Sequence, residues 1–308
     1  MSAILADNLL HRLYWRSLSD NRFTIAVYAT GTTDAVTQKT GYEVQNVFDN
    51  NGHTSFKLPS STQVDIVLTF KQNMFTNGLA FYGHNLNSGQ GLKVQYKADS
   101  GSYAVLIPDA PNVSDGVFKP ASDRYHAFAG YQPAALEFDT LKITTVGWDT
   151  TSFLSCMSLG MWLDEGINIA APFTAPYYAP VELDQKRNSK GNMLGNQVRK
   201  IPQKLSLNIN NLSESDLETV GTSSSYKALF YNSDVSPNRN FVEYIGDYVS
   251  RYPFFVMWNT GLSTDTAAIQ QADRNQVYYC VADKTIKQPA FRSPTALSWK
   301  IGLMGYIT

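Results

Sequence analysis

Cysteine, histidine and charge are all scarce in this chain of 308 residues, which holds two cysteines, four histidines and 17% charged residues. Cys156 and Cys280 lie in different halves, each inside a strand-like run, LSCMSL and VYYCVAD. A disulfide framework is therefore not expected, and two buried thiols in a reducing compartment are. No Cys/His spacing has the form of a zinc site. His11, His53, His84 and His126 all fall in the first half, and none has a Ser or Cys partner in a nucleophile motif such as GxSxG. Glycoside hydrolysis needs two facing carboxylates. Asp115, Asp123, Glu137 and Asp139 are available, but exposed acids are ordinary on a β-sandwich, and the expectation is a non-enzymatic protein.

Long apolar runs are also missing, so no membrane insertion is expected. The start, MSAILADNLLHRLYWRSLSDNRF, carries an acidic residue and early charges where an export signal would place a basic segment and an uninterrupted apolar one. Residues 1–165 hold 11 basic against 15 acidic side chains and residues 166–308 hold 14 against 11. That split is too even to point to nucleic acid, yet it permits complementary contacts between copies.

What the chain does have is Gly, Tyr, Phe and alternating apolar runs, which favour a β-rich globular protein. Its length predicts two domains. The central stretch, LAFYGHNLNSGQGLKVQY over 79–96, reads as a hairpin, with Leu79 to Tyr82 meeting Leu92, Val94 and Tyr96 across a Gly/Asn/Ser loop. Asp99 to Ser102 then turns the chain into a strand over 103–107. Val64, Ile66, Leu68 and Phe70 alternate as a half-buried strand does. Segments 141–146 and 154–162 read as a terminal strand pair. His84, in the GHN turn, is placed to hydrogen-bond the loop backbone.

The order VFDNNGHTSF, VDIVLTF, LAFYGHNL, GQGLKVQYKADSGSY, LKITTVGWDTTSFLSCMSLGMWLD resembles the galactose-binding-like jelly roll of the discoidin and carbohydrate-binding-module superfamily, over about residues 25–165. That resemblance implies binding rather than chemistry. It also implies that the loop holding Asp49, Asn51 and Thr54 wraps a structural Ca²⁺, a hard cation that takes six to eight oxygens. A plain self-bonded Asx turn is the competing reading. No other cofactor is expected. Jelly rolls of this type present ligands at loops, where aromatic rings stack on sugars. Tyr125, His126, Phe128 and Tyr131 are thus the candidate glycan surface, unless they only cover the sandwich mouth or meet a neighbouring subunit.

Residues 1–22 read as a short amphipathic helix or an extended arm, 23–165 as the sandwich, and 166–181 as a connector stiffened by Pro172, Pro176 and Pro180. Residues 182–308 read as an α+β docking domain with an antiparallel sheet. Its helix candidates lie at 212–218 and 241–250, and its strands near 201–209, 252–258, 276–281 and 297–306. Lys186, Arg187, Lys190, Arg199, Lys200 and Lys204 surround GNMLGN without a GxxxxGK[ST] phosphate loop, so a solvated or subunit-facing basic hairpin is expected. GNMLGNQVRK resembles the second domain of some tailed-phage tail and baseplate components. The resulting fold class is mainly β, an N-terminal jelly roll followed by a C-terminal α+β domain. The resulting function is that of a non-enzymatic virion structural protein of a tailed bacteriophage, assembled in the host cytoplasm. Its expected partners are other virion proteins, copies of itself and a host surface glycan. A lectin-like adhesin is the alternative, and a carbohydrate-active enzyme with an accessory sandwich is the second.

Overall fold

The computed structural model describes residues 3–6, 23–98, 101–106, 113–114, 116–120, 127–160, 162–163, 181–187, 189, 193–200, 204–212, 252–258, 270–272, 277–283, 290–293 and 296–305. Among these the regular elements are strands, apart from one 3-10 turn at Val44–Val47. The strands of the first half are β1 (Ala3–Ala6), β2 (Phe23–Ala29), β3 (Phe56–Lys57), β4 (Val64–His84), β5 (Gly91–Lys97), β6 (Ala104–Val105), β7 (Val113–Ser114), β8 (Val117–Phe118), β9 (Ala127–Val146), β10 (Phe153–Gly160) and β11 (Trp162–Leu163). Those of the second are β12 (Val181–Arg187), β13 (Met193–Lys200), β14 (Lys204–Leu212), β15 (Phe254–Trp258), β16 (Gln270–Ala272), β17 (Val277–Ala282), β18 (Ala290–Ser293) and β19 (Ala296–Gly305).

Two long strands, β4 and β9, organise the first half. They pair antiparallel in two main stretches, Asp65 to Thr69 against Thr140 to Thr144 and Gly78 to Tyr82 against Ala127 to Tyr131. Register shifts between Thr69 and Met74 and between Thr76 and Gly78 separate the two stretches. Irregular pairing of this kind bends a sheet. Here it brings both halves around one core, because Ile66, Leu68, Leu141 and Ile143 share a buried cluster with Leu79, Phe81 and Phe128. Phe81 stacks on Phe128 with ring centroids 4.7 Å apart, and Phe70 meets Phe138 edge-on at 5.5 Å near the bend. The mainly-β sandwich expected from the alternating runs is therefore present.

Three local expectations differ from the structure. The 79–96 stretch is not a hairpin: the sheet order is β3-β10-β4-β9-β5-β8-β7, so β9 lies between β4 and β5. Segments 141–146 and 154–160 do not pair either, since β10 pairs with the second half of β4 while that end of β9 pairs with the first half. Both errors have one cause. Strands that run on through a bend take partners distant in sequence, which local alternation does not record. The strand expected over 103–107 is confined, among the described residues, to Ala104–Val105, paired with β5, and Tyr103 precedes it.

A second antiparallel sheet has the order β11-β1-β15-β17-β19-β14, with β18 also on β19. Its strands match the expected runs near 252–258, 276–281 and 297–306. Ala3–Ala6, expected as helix or arm, is extended and pairs with β15 and β11, so this sheet is built from both ends of the chain. Leu212 closes β14 rather than opening a helix. Residues 213–218, the helix candidate at 241–250 and the proline connector lie outside the described residues, so what is described of the second half is antiparallel sheet and carries no α component.

The sandwich does not present both outer faces to solvent. Ala80, Tyr82, Ala127, Ala129 and Cys156 alternate with the core residues and form a second cluster with Phe255, Val277 and Tyr279 of β15 and β17. Small side chains at 80, 127 and 129 leave this face flat enough for a sheet to dock on it. β16 also adds to the sandwich sheet, with Gln270 to Ala272 against Ala129 to Tyr131.

Candidate functional site

Of the four aromatic residues expected to meet sugar, Phe128 is withdrawn by the fold. Its side chain is fully buried, stacked on Phe81 and edge-on to His84 at 5.0 Å. The cause is its position in β9, where the pleat turns it towards the core while Ala127 and Ala129 take the other face. The backbone of Tyr131 lies in the same strand, opposite Gly78 and Gln270, and not in a loop. Tyr125 and His126 lie outside the described residues.

The Asp49 to Thr54 loop is ordered by its own polar atoms. Asp49 accepts the Asn51 N–H at 2.8 Å on one carboxylate oxygen and the Thr54 hydroxyl at 2.7 Å on the other. The Asn51 amide oxygen takes the His53 N–H at 3.0 Å. Partial burial raises the Asp49 carboxyl above its ordinary range, against the lowering effect of these bonds. Among the described residues no three His, Cys, Asp or Glu side chains come together as a metal group. One carboxylate whose oxygens are both engaged fits an Asx turn, and does not fit the oxygen-rich shell of a calcium ion. The loop is also held from outside: the Tyr279 hydroxyl donates to the Asn50 carbonyl at 3.0 Å, and the Cys156 thiol donates to that hydroxyl at 3.8 Å. Burial pushes the Cys156 thiol up to about 12, so it stays protonated. Cys280 is likewise a free, buried thiol.

Beside it, the loops 84–90 and 147–152 are fastened to each other. His84 accepts the Leu86 N–H on Nδ1, the backbone role expected of it. The Asn85 side chain donates to the Thr151 carbonyl at 3.0 Å and accepts the Phe153 N–H at 2.8 Å. Gly147 supplies a left-handed residue at φ +69°, where a Cβ would sit 2.8 Å from the Gly89 carbonyl oxygen. Gly147→Ala should therefore lower stability by at least about 1–2 kcal/mol from the backbone conformation alone, read as a fall in the thermal midpoint.

Asp149 accepts the N–H and hydroxyl of both Thr151 and Ser152 on Oδ1, which holds its carboxyl down at about 2. The folded group binds its proton less tightly than the unfolded one. Its contribution is thus present above the ordinary carboxylate range and is lost as pH falls towards about 2. Asp149→Ala should melt below the parent protein at neutral pH, and the gap should close across that acidic window.

A different polar surface lies on the outer face of β2, β4, β9 and β5. Register sets Tyr28, Asp65, Thr144 and Lys93 in one row across β2, β4, β9 and β5, and Ala26, Val67, Lys142 and Gln95 in the next. These residues alternate with the core positions Ile66, Ile143 and Val94, so they point outward. Tyr103, which directly precedes β6, lies over this face and is 37% exposed. The Lys142 ammonium stands 4.4 Å from its ring centroid and that of Lys97 5.7 Å. Contacts of this kind contribute about 0.5–1 kcal/mol at exposed sites and fix the ring's orientation.

Beneath, Asp65 is buried on the same face, its two oxygens accepting the Thr144 hydroxyl at 2.6 Å and the Gly31 N–H at 3.3 Å. Burial, then the Asp65 and Asp139 carboxylates, raise the Tyr103 phenol, which is neutral at pH 7 and both donates and accepts. The Tyr103 ring with its phenol and the two ammonium groups of Lys97 and Lys142 thus converge on one face. Sequence reading missed it because Tyr103 was assigned to a strand. The available signal was its place directly after the Asp-Ser-Gly-Ser turn, with Lys97 and Lys142 at outward positions of their strands.

No family model and no curated protein matches the chain. Solved structures do. A family 32 carbohydrate-binding module of Clostridium perfringens, solved with galactose, is 8% identical over 46% of this chain and 95% of its own, with a TM-score of 0.33. A second module produced by Clostridium perfringens is 9% identical over 50% of this chain and 98% of its own, with a TM-score of 0.34. A fucosidase of Ruminococcus gnavus is 14% identical over 50% of this chain, which spans only 26% of the enzyme, with a TM-score of 0.33. Likeness this loose fixes no ligand, and a shared sandwich would not fix function in any case.

Proposed function

We propose that this chain is a non-enzymatic, lectin-like protein that holds a saccharide on the outer sandwich face at Tyr103. The observation that carries this reading is the exposed Tyr103 ring with the Lys142 and Lys97 ammonium groups 4.4 and 5.7 Å from its centroid, over the outer sheet face. A pyranose ring stacks its C–H face on an aromatic plane, and the phenol and lysines supply hydrogen bonds around it. Two ammonium groups beside one ring favour an acidic saccharide, with its carboxylate or sulfate at Lys97 and Lys142.

Screening against neutral and acidic glycans tests this. Binding to acidic ligands should weaken in rising salt and fall on Lys97→Ala with Lys142→Ala, while the thermal midpoint changes little. Equal retention of neutral and acidic glycans would remove the assignment of the lysines. Binding by neither class would remove the reading.

A second reading, that the chain is a structural subunit of a larger assembly such as a virion, is favoured by one observation. β12 and β13 form a two-stranded sheet with no other strand of the described residues beside it.

A further inference from the structure

We infer that the sandwich carries a second anion-binding patch, at Tyr42 and Phe153, and that a polyanionic polysaccharide engages it together with the Tyr103 face. The inference rests on the reading of the chain as a binder of acidic saccharides and goes further, adding a site and a longer ligand. The Lys57 ammonium stands 4.3 Å from the Tyr42 ring centroid and 5.7 Å from that of Phe153. The Lys39 ammonium stands 5.3 Å from the Tyr42 ring centroid. Two rings and two cations therefore share one patch. Lys39 is exposed, and Tyr42, Lys57 and Phe153 are half-buried, so the patch is anchored in the fold and still reaches solvent.

Backbone contacts hold these side chains together. The Tyr42 N–H donates to the Lys39 carbonyl at 2.9 Å, which turns the chain between them, and the Lys57 N–H donates to the Tyr42 carbonyl at 3.3 Å. Lys57 of β3 is the register partner of Phe153 of β10, whose N–H donates to the Asn85 side chain at 2.8 Å. The acid of the same turn, Glu43, accepts the Gly41 N–H at 2.9 Å, which directs it to the backbone. A patch fixed in this way loses little freedom when a ligand arrives.

The arrangement repeats the chemistry at Tyr103, where Lys142 and Lys97 stand 4.4 and 5.7 Å from one ring. It is set on the other half of the bent sheet. β10 pairs with Gly78 to His84 of β4, whereas the Tyr103 face is built on the half that pairs with β2. Two separate groups of ammonium charge favour a ligand whose negative charge recurs along its length. A saccharide chain with repeating carboxylate or sulfate groups meets that requirement. Once one patch holds such a chain, the other captures it at a raised local concentration, which adds affinity without a new kind of contact.

Calorimetry with a heparin disaccharide and with full-length heparin tests this. The disaccharide should fill two sites on each chain of the parent protein. Lys39→Met with Lys57→Met should leave one, because methionine keeps an apolar stem over the rings and removes the charge. Lys39→Met alone, at an exposed position, should already weaken that site with the thermal midpoint unchanged. Affinity for full-length heparin should fall at least about tenfold in the paired variant. A single site that survives the paired variant and is lost on Lys97→Ala with Lys142→Ala overturns the second patch and leaves the Tyr103 reading standing. A single site lost only with Lys39 and Lys57 keeps the patch and overturns the Tyr103 reading together with joint engagement. No binding of heparin overturns the inference, and the screen of neutral and acidic glycans then decides the Tyr103 reading.

Discussion

Phe128→Ala should destabilise the protein by about 3–5 kcal/mol, a large part of the total stability of a typical domain. The side chain is fully buried, and its removal strips Phe81 of a partner at 4.7 Å and His84 of one at 5.0 Å. The cavity would lie where the two halves of β4 and β9 close on each other, and the bend at the register shifts limits collapse into it. Urea unfolding measures the effect as a lower midpoint at unchanged slope. The same substitution separates two accounts of this residue. A sugar-contacting Phe128 would lose ligand and keep its midpoint, whereas a core Phe128 loses the midpoint first.

Tyr279→Ala is the second large effect expected, again about 3–5 kcal/mol. Tyr279 packs its ring 4.6 Å from Tyr82 of the sandwich and 4.8 Å from Phe255 of its own sheet, and its hydroxyl reaches the Asn50 carbonyl. It therefore joins the two sheets and fixes the Asp49 loop at once. Tyr279→Phe isolates the second role. The ring contacts remain, the bond donated to the Asn50 carbonyl and the one accepted from the Cys156 thiol are lost, and the cost should be about 1–3 kcal/mol. Hydrogen exchange at the Asn51 and His53 amides should rise in the Phe variant if the hydroxyl holds the loop. Unchanged exchange there would confine Tyr279 to packing.

Much of the strand content was legible because alternation survives in the sequence. Val64, Ile66, Leu68 and Phe70 are all buried in β4, and the runs at 254–258, 277–282 and 296–305 fall where apolar periodicity places them. Pairing was not legible. β4 and β9 run for 21 and 20 residues through a bend, so β5 finds its partner some fifty residues away in β9 rather than in the strand just before it. The covered face was hidden for a related reason. Ala80, Ala127 and Ala129 are small residues whose sequence does not say what covers them, and β15 and β17 lie on them. Phe128 shows the same limit at the site. An aromatic after a polar excursion looks like a loop residue, yet its neighbours Ala127 and Ala129 mark a packed strand. Tyr103 is the reverse case, an aromatic placed in a strand that the fold leaves outside.

Calorimetric titration of the tightest acidic glycan into the parent protein and into Tyr103→Ala tests the account most directly. Saturable binding that falls about tenfold or more in the variant, with the thermal midpoint unchanged within error, is the result expected when the ring is the stacking plane. Equal affinity in the two proteins would place the saccharide elsewhere and contradict the assignment of the outer face.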